Sequence, residues 1–187
     1  MKSDQVKPLP TYSATSEFER LYVRPHPGIA LIVGSRVVNH TREDRRARYK
    51  ECLGIDQIEG PGVDLVCDAE NPEVPVRLGK FFHVDCLSVL EHTSKPWCIA
   101  ENIVAMMHKD ATLFVTAPFV WREHGYPSDY FRFTTAGVAS LFAGINWHKI
   151  MYANTVLDAD MGAMGNRLKD GHRYFPRTEV LAFGVKT

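Results

Sequence analysis

The chain has no surplus of charge of either sign: 22 lysines and arginines stand against 22 aspartates and glutamates. A domain that holds nucleic acid or an anionic membrane by its net field is strongly basic, and this one is not. Long apolar runs are missing too. None approaches the roughly 20 residues a membrane-spanning helix needs. Met1 to Pro10 lacks the apolar stretch of a signal peptide. Cysteine is sparse: Cys52, Cys67, Cys86 and Cys98 form no C-x-x-C pair, and three lie in or beside apolar strand-like runs. They read as buried, reduced thiols of a soluble cytoplasmic protein. The eight histidines are scattered without an H-E-x-x-H pair, so the spacing predicts no metal site. Internal repeats and low-complexity tracts are absent.

What is present suffices for one core. Of 187 residues, 45% are hydrophobic, one domain's worth. Residues 1–12 read as a disordered lead-in and 13–187 as a single domain. Ser16 to Glu19 matches a capping box, with a short helix through Tyr22 stopped by Pro25 and Pro27. Strands are predicted at 29–33, 52–55, 63–67, 81–87, 112–117, 145–152 and 180–185. The first is apolar throughout, as suits a strand covered on both faces. Helices are predicted from Thr41 to about Lys50, after Ser94-Lys95-Pro96-Trp97, and after Thr134 or Thr135. Ile99, Ile103, Met106 and Met107 follow helical spacing, and Trp97, Met106 and Met107 read as core. Residues 158–177 read as a long loop. Alternating strands and helices indicate an α/β layered fold with a mainly parallel sheet. The last two strands, with no helix between them, would pair as an antiparallel hairpin at the sheet edge.

One turn carries chemistry. The run Ile29 to Val33 stops at Gly34, Ser35 and Arg36, and a second strand ends in Gly54, Ile55 and Asp56. From Gly34 to Asp56 is 56 − 34 = 22 residues. In a βαβ nucleotide fold, a glycine turn lets the backbone approach the ligand. An acid about 20 residues on accepts hydrogen bonds from ribose hydroxyls. The residues thus point to an adenosine-containing cofactor. The G-x-G-x-x-G fingerprint is absent, which argues against a nicotinamide-dependent oxidoreductase.

Further pieces narrow this reading. They are Gly60 to Asp68, Ser88 to His92, Val115 to Pro118, His124 to Thr134 and Val180 to Lys186. In order and spacing, the stretch Gly28 to Lys186 resembles class I S-adenosylmethionine-dependent methyltransferases, in particular the type 11 methyltransferase-domain branch. The resemblance implies a Rossmann-like three-layer αβα sandwich with a mostly parallel seven-stranded sheet and an antiparallel last strand. It implies S-adenosylmethionine as cofactor. Gly34, Ser35 and Arg36 would lie under its methionine and ribose part, Asp56 would hold the ribose diol, and Asp68 with Ala69 would contact adenine. Cys86, Leu87 and Ser88 would line the pocket, and Glu91 and His92 would open a helix beside the methyl-transfer site. The family's usual acid two residues before the first glycine is Ile32 here, and Arg36 and Val38 stand where further glycines are usual.

Several residues read two ways. Asp68 either contacts adenine or caps the following turn. His92 and His124 are either acid–base groups or structural histidines. Tyr126, Asp129, Tyr130 and Arg132 form either an acceptor site or a structural lid with Asp129 and Arg132 paired and Phe131 and Phe133 packed inward. Arg42 to Lys50 reads as a solvated, charge-mixed helix face. Expected is methyl transfer to an oxygen or nitrogen of a small-molecule or carbohydrate-like acceptor. The alternative is a methyltransferase-fold binding or assembly module that has lost catalysis. No Asn/Asp-Pro-Pro-Tyr/Phe motif follows the fourth strand, which argues against nucleic acid.

Overall fold

The computed structural model describes residues 11–38, 45–125, 127–154 and 177–187. Seven strands form one sheet: β1 Ala30–Val33, β2 Cys52–Asp56, β3 Leu65–Val66, β4 Phe81–Leu87, β5 Met107–Pro118, β6 Ile145–Asn154 and β7 Arg177–Lys186. Their order is β3-β2-β1-β4-β5-β7-β6. Neighbours from β3 to β5 pair parallel, and β7 runs antiparallel to both β5 and β6. The expected antiparallel pair at a sheet edge is present, with β6 outermost and β7 between it and β5. Composition explains the choice. Val180 to Phe183 are all buried, as an interior strand requires. Asn146 and His148 are exposed between half-buried neighbours, a pattern an edge tolerates.

Side chains alternate along β5 and β7 and so build two cores. Leu113, Val115, Ala117, Val180 and Ala182 face one side, with Val84, Ile99, Ile103, Val138 and Phe142. Phe114, Leu181 and Phe183 face the other, with Phe18, Val23 and Ala153. Four α-helices are described: α1 Thr11–Tyr22, α2 Val74–Leu78, α3 Pro96–Ala105 and α4 Thr135–Leu141. α3 and α4 cover the first face; α1 covers the second, stacking Phe18 on Phe114 at 5.8 Å between ring centroids. Among the described residues, no helix is long and apolar enough to cross a membrane.

Local chemistry sets the element ends. Thr134 caps α4 as expected, its hydroxyl accepting from Gly137 N at 2.9 Å. Ser94 does not cap α3. Lys95 holds that position without a side-chain bond, and Thr93 Oγ1 accepts from Lys95 N instead. α3 turns Pro96, Ile99, Ala100 and Ile103 inward. Trp97 falls off that stripe and is 48% exposed, contrary to the core reading, whereas Met106 and Met107 are buried. α1 starts at Thr11, ahead of the Ser16 capping box. Glu17 pairs with Arg20 and Glu19 with Arg45, so neither caps. Of the four cysteines, Cys67 and Cys86 are buried, but Cys52 and Cys98 are only half-buried. Residues 1–10, Thr41 to Asp44 and the 158–176 part of the predicted loop lie outside the described residues.

The predicted helix from Thr41 to Lys50 is not what the described part shows. Arg45–Arg48 is a single 3-10 turn, and Arg45 faces inward. Asp85, in mid-β4, is fully buried. Its Oδ2 accepts from Arg45 Nη2 at 2.7 Å, Arg45 Nε at 3.0 Å and the Tyr49 hydroxyl at 2.6 Å. Its Oδ1 meets His83 Nε2 at 3.1 Å, and His83 Nδ1 meets Thr112 Oγ1 at 2.6 Å. Glu19 accepts from Arg45 Nη1 at 2.7 Å, tying α1 to the same group. Burial pushes the Asp85 carboxyl up. The His83 hydrogen bond, the Arg45 charge and the Tyr49 hydroxyl outweigh it and hold the group below the usual carboxylate range. Burial, then the Asp85 charge, pushes the Tyr49 phenol well above its usual value.

Removing the cation strands a buried carboxylate. Arg45→Met is expected to lower unfolding stability by about 3–5 kcal/mol at neutral pH, measured by urea titration. Because folding depresses the Asp85 pKa, its contribution is complete above the ordinary carboxylate pKa of about 3.9 and is lost as pH falls toward the lower folded value. The difference between Arg45→Met and the parent is therefore expected to shrink on acidification.

Candidate functional site

A cavity of about 230 Å³ opens where the parallel strands end. It is lined from β1 by Val33, Gly34, Arg36 and Val38, and from β2 by Ile55, Asp56 and Gln57. After β3 come Cys67, Asp68, Ala69 and Glu70; after β4 come Ser88, Val89 and His92; Ile99 of α3 and His124 complete the wall. The strand order β3-β2-β1-β4 sets Asp68, Asp56, Gly34 and Ser88 side by side. Three strand spacings of ~4.8 Å span about 14 Å.

Gly34 makes the turn possible. Its φ is +69°, and a Cβ there would stand 2.5 Å from Val89 Cγ2. The chain then crosses the end of β2. Ser35 N donates to Ile55 O at 3.0 Å, Arg36 N to Asp56 Oδ2 at 3.3 Å and Val37 N to Pro61 O at 2.8 Å. Gly62 permits this approach, since a Cβ on it would lie 2.5 Å from Ser35 O. The backbone after the glycine is thus committed to β2 and the turn beyond it, with no helix over Ser35 to Val38.

Both carboxylates are oriented by backbone. Asp56 Oδ1 accepts from Ile58 N at 3.0 Å while Oδ2 takes Arg36 N. Asp68 Oδ1 accepts from Glu70 N at 2.9 Å, so it does cap the following turn, and it also lines the cavity. Asn102 Nδ2 steadies that turn through Ala69 O at 2.8 Å and Asn71 O at 3.0 Å. Thr93 donates its hydroxyl to Glu70. Ser88 has φ +52°, a sparsely populated conformation for a residue other than glycine, at the mouth of the cavity.

The loop after β5 brings the histidines in. Arg132 clamps it, donating to both Asp129 oxygens at 2.5 and 2.8 Å and to the carbonyls of Trp121, Arg122 and Phe131. The Arg132 hydrogen bond, opposed by burial and aided by the His124 N–H, holds the Asp129 carboxyl far below the usual range. Asp129 Oδ2 also accepts from His124 N at 2.9 Å and lies 3.0 Å from His124 Nδ1. His92 Nδ1 is 2.7 Å from Ser128 O. The His92 and His124 rings meet edge-on, 4.9 Å between centroids.

Of the residues singled out in the sequence, Gly34, Arg36, Asp56, Asp68, Ala69, Ser88, His92 and His124 share this cavity. Ser35 and Leu87 lie behind the turn, on a separate void of about 10 Å³. Asp129 and Arg132 hold the loop, Phe133 is buried, and Tyr130 is 54% exposed; none of these lines the cavity. Tyr126 lies outside the described residues. Glu91 does not open α3. It sits in a 3-10 turn, Leu90–His92, and is only 1% exposed. One ligand-type atom each from Glu91, His92 and His124 lies within 4.8 Å of the others. Sequence reasoning missed this grouping because residues 91–92 and 124 are joined only through the loop. It also missed Gln57 and Glu70, whose only signal was adjacency to residues already marked.

No family model matches the sequence, and no curated protein matches it significantly. Solved structures do. A 1,6-didemethyltoxoflavin-N1-methyltransferase of Burkholderia thailandensis, crystallised with 1,6-didemethyltoxoflavin and S-adenosylhomocysteine, superposes with TM-score 0.61 at 14% identity, over 95% of this chain and 78% of that one. The N-methyltransferase NodS of Bradyrhizobium japonicum, in complex with S-adenosylhomocysteine, gives 0.60 at 11% identity, over 94% and 86%. A Haloferax volcanii putative methyltransferase, in complex with the Trm112 activator, gives 0.59 at 15%, over 94% and 90%. The fold is that of class I S-adenosylmethionine-dependent methyltransferases.

The Arg132 clamp makes a measurable claim. Arg132→Ala removes charge-assisted bonds worth about 2 kcal/mol of local stability, a ~30-fold rise in hydrogen exchange at the His124 and Phe133 amides. Arg132→Lys is expected to restore little, because an ammonium cannot reproduce the forked contacts.

Proposed function

We propose that the chain transfers a methyl group from S-adenosylmethionine to an oxygen or nitrogen of a small-molecule or carbohydrate-like acceptor. The observation that carries this is the row Asp68, Asp56, Gly34, Ser88 along the strand ends, closed by His92 and His124. Its span suits a cofactor laid across the strand ends, with adenine at Asp68, ribose at Asp56 and the reacting end near the histidines. Apolar Ile55, Cys67, Ala69 and Ile99 line the wall between. S-adenosylhomocysteine is bound in neighbours of the same fold, and one of them also holds 1,6-didemethyltoxoflavin.

Asp56 would accept the ribose hydroxyls through oxygens that two backbone amides already aim. Asp68 and Ala69 would meet the adenine edge. Gly34 would bring backbone against the methionine part. Arg36 lines the same cavity. Its stem passes over Gly60, where a Cβ would meet Arg36 Cδ at 2.9 Å. When bound, S-adenosylmethionine supplies an electrophilic methyl on a sulfonium. The protein's task is to align the acceptor for in-line attack and exclude water. His92 Nδ1 donates to Ser128 O, and His124 Nδ1 to Arg122 O at 3.2 Å, with Asp129 beside it. Each ring is thereby set in the tautomer whose Nε2 carries the lone pair. Either Nε2 is thereby placed to take a proton from an acceptor hydroxyl.

Titration calorimetry with S-adenosylmethionine and S-adenosylhomocysteine tests the reading. Binding of both is expected, and Asp56→Ala is expected to weaken it about 30-fold, the cost of about 2 kcal/mol of charge-assisted hydrogen bonding. No binding of either by the parent protein at millimolar concentration overturns the proposal.

A further inference from the structure

The sequence spacing predicted no metal site, yet the fold assembles a set of metal-ligand groups. Glu91 and His92 come from one 3-10 turn and His124 from the clamped loop. Two imidazoles and one carboxylate form a donor set that binds divalent transition metals while leaving coordination positions open. We propose that Glu91, His92 and His124 bind a divalent transition-metal ion of the zinc, cobalt or iron(II) type at the acceptor end of the cavity.

Three observations carry this. The first is spacing. Donor atoms of a tetrahedral site with bonds of ~2.1 Å stand ~3.4 Å apart. His92 Nε2 and Glu91 Oε1 are 3.7 Å apart, and all three donor atoms fall within 4.8 Å, so the set closes on an ion by shifts of about 1 Å. The second is the outer layer. Metal-ligating histidines characteristically donate their other ring N–H to a carbonyl or carboxylate, which orients the ring and raises its basicity. Here His92 Nδ1 has Ser128 O at 2.7 Å, and His124 Nδ1 has Arg122 O at 3.2 Å with Asp129 Oδ2 beside it at 3.0 Å. Asp129 is itself fixed by Arg132. Two histidines from separate segments thus carry the same support. The third is environment. Glu91 is buried, whereas His92 and His124 reach the cavity wall. An ion there would be anchored from inside and open toward an acceptor.

One carboxylate and two neutral imidazoles leave a divalent ion with one net positive charge. Such an ion binds an acceptor hydroxyl and lowers its pKa, so the proton passes to solvent water at the open mouth of the cavity, and the imidazoles, held on the metal, act as ligands in place of a base. This consequence rests on the methyl-transfer reading; binding of the ion does not.

Protein stripped with a chelator is titrated with Co²⁺ or Zn²⁺ alone, followed by calorimetry and by the visible absorption of Co²⁺. Expected is one ion per chain, with ligand-field bands and no thiolate charge-transfer band. Glu91→Gln and His124→Gln are each expected to weaken binding at least tenfold, and Asp129→Asn about 10–100-fold through the ring it orients. His124 is the more accessible of the two ligand positions, so His124→Gln remains informative if Glu91→Gln fails to fold. S-adenosylhomocysteine titrations on the same samples separate the two proposals. Cofactor binding without Co²⁺ or Zn²⁺ binding overturns the metal site alone, and metal binding without cofactor binding overturns the methyl-transfer reading alone. Metal binding unchanged in His124→Gln, or accompanied by a thiolate band, places the ion elsewhere and also overturns the site.

Discussion

A buried carboxylate in mid-strand holds this molecule together. Asp85 has no access to water, and a charge so placed is tolerable only when fully paired. Arg45, Tyr49 and His83 supply the pairing, and Glu19 links Arg45 to α1. One group therefore joins the connection between β1 and β2, the strand β4 and the N-terminal helix. Arg45 also lies over the Phe114 ring at 5.8 Å, so the polar cluster continues into the apolar core on that face. The strand pinned in this way is the one whose end carries Ser88, Glu91 and His92.

With β4 held, the ends of the parallel strands become a ruler. Each strand in the order β3-β2-β1-β4 ends in one useful feature: Asp68, Asp56, the Gly34 turn and Ser88. The turn at Gly34 is locked by hydrogen bonds to Ile55, Asp56 and Pro61, which compensates for having a single glycine. Beyond β4, Arg132 holds Asp129, Asp129 holds the His124 amide, and His124 stands beside His92. The cavity thus has an acidic, backbone-oriented half and an imidazole half.

Much of this was legible from local pattern. Strand positions followed from apolar runs, and the α4 cap from Thr134. The Gly34-to-Asp56 spacing marked two residues that do line one cavity. Pattern failed where a distant partner outweighed local preference. Arg45, read as part of a solvated helix face, is drawn inward by Asp85, 40 residues away. Trp97 is exposed because α3 needed only a narrow inward stripe. Asp129 and Arg132, by contrast, pair with each other and hold the loop's carbonyls, as the structural of the two sequence readings had it. α2 passed unnoticed because five residues are too few for helical periodicity to register.

The sequence by itself determined the class of fold, the position of the glycine turn and the identity of the acids that follow it. These depend on periodicity and on residues at the ends of the first three strands. Tertiary structure alone decided that β7 would lie inside the sheet, that Arg45 would neutralise Asp85, and that Glu91, His92 and His124 would converge. Each of those outcomes joins groups far apart in the chain. Their free energy comes from burial and charge pairing that exist only once the sheet has closed around them.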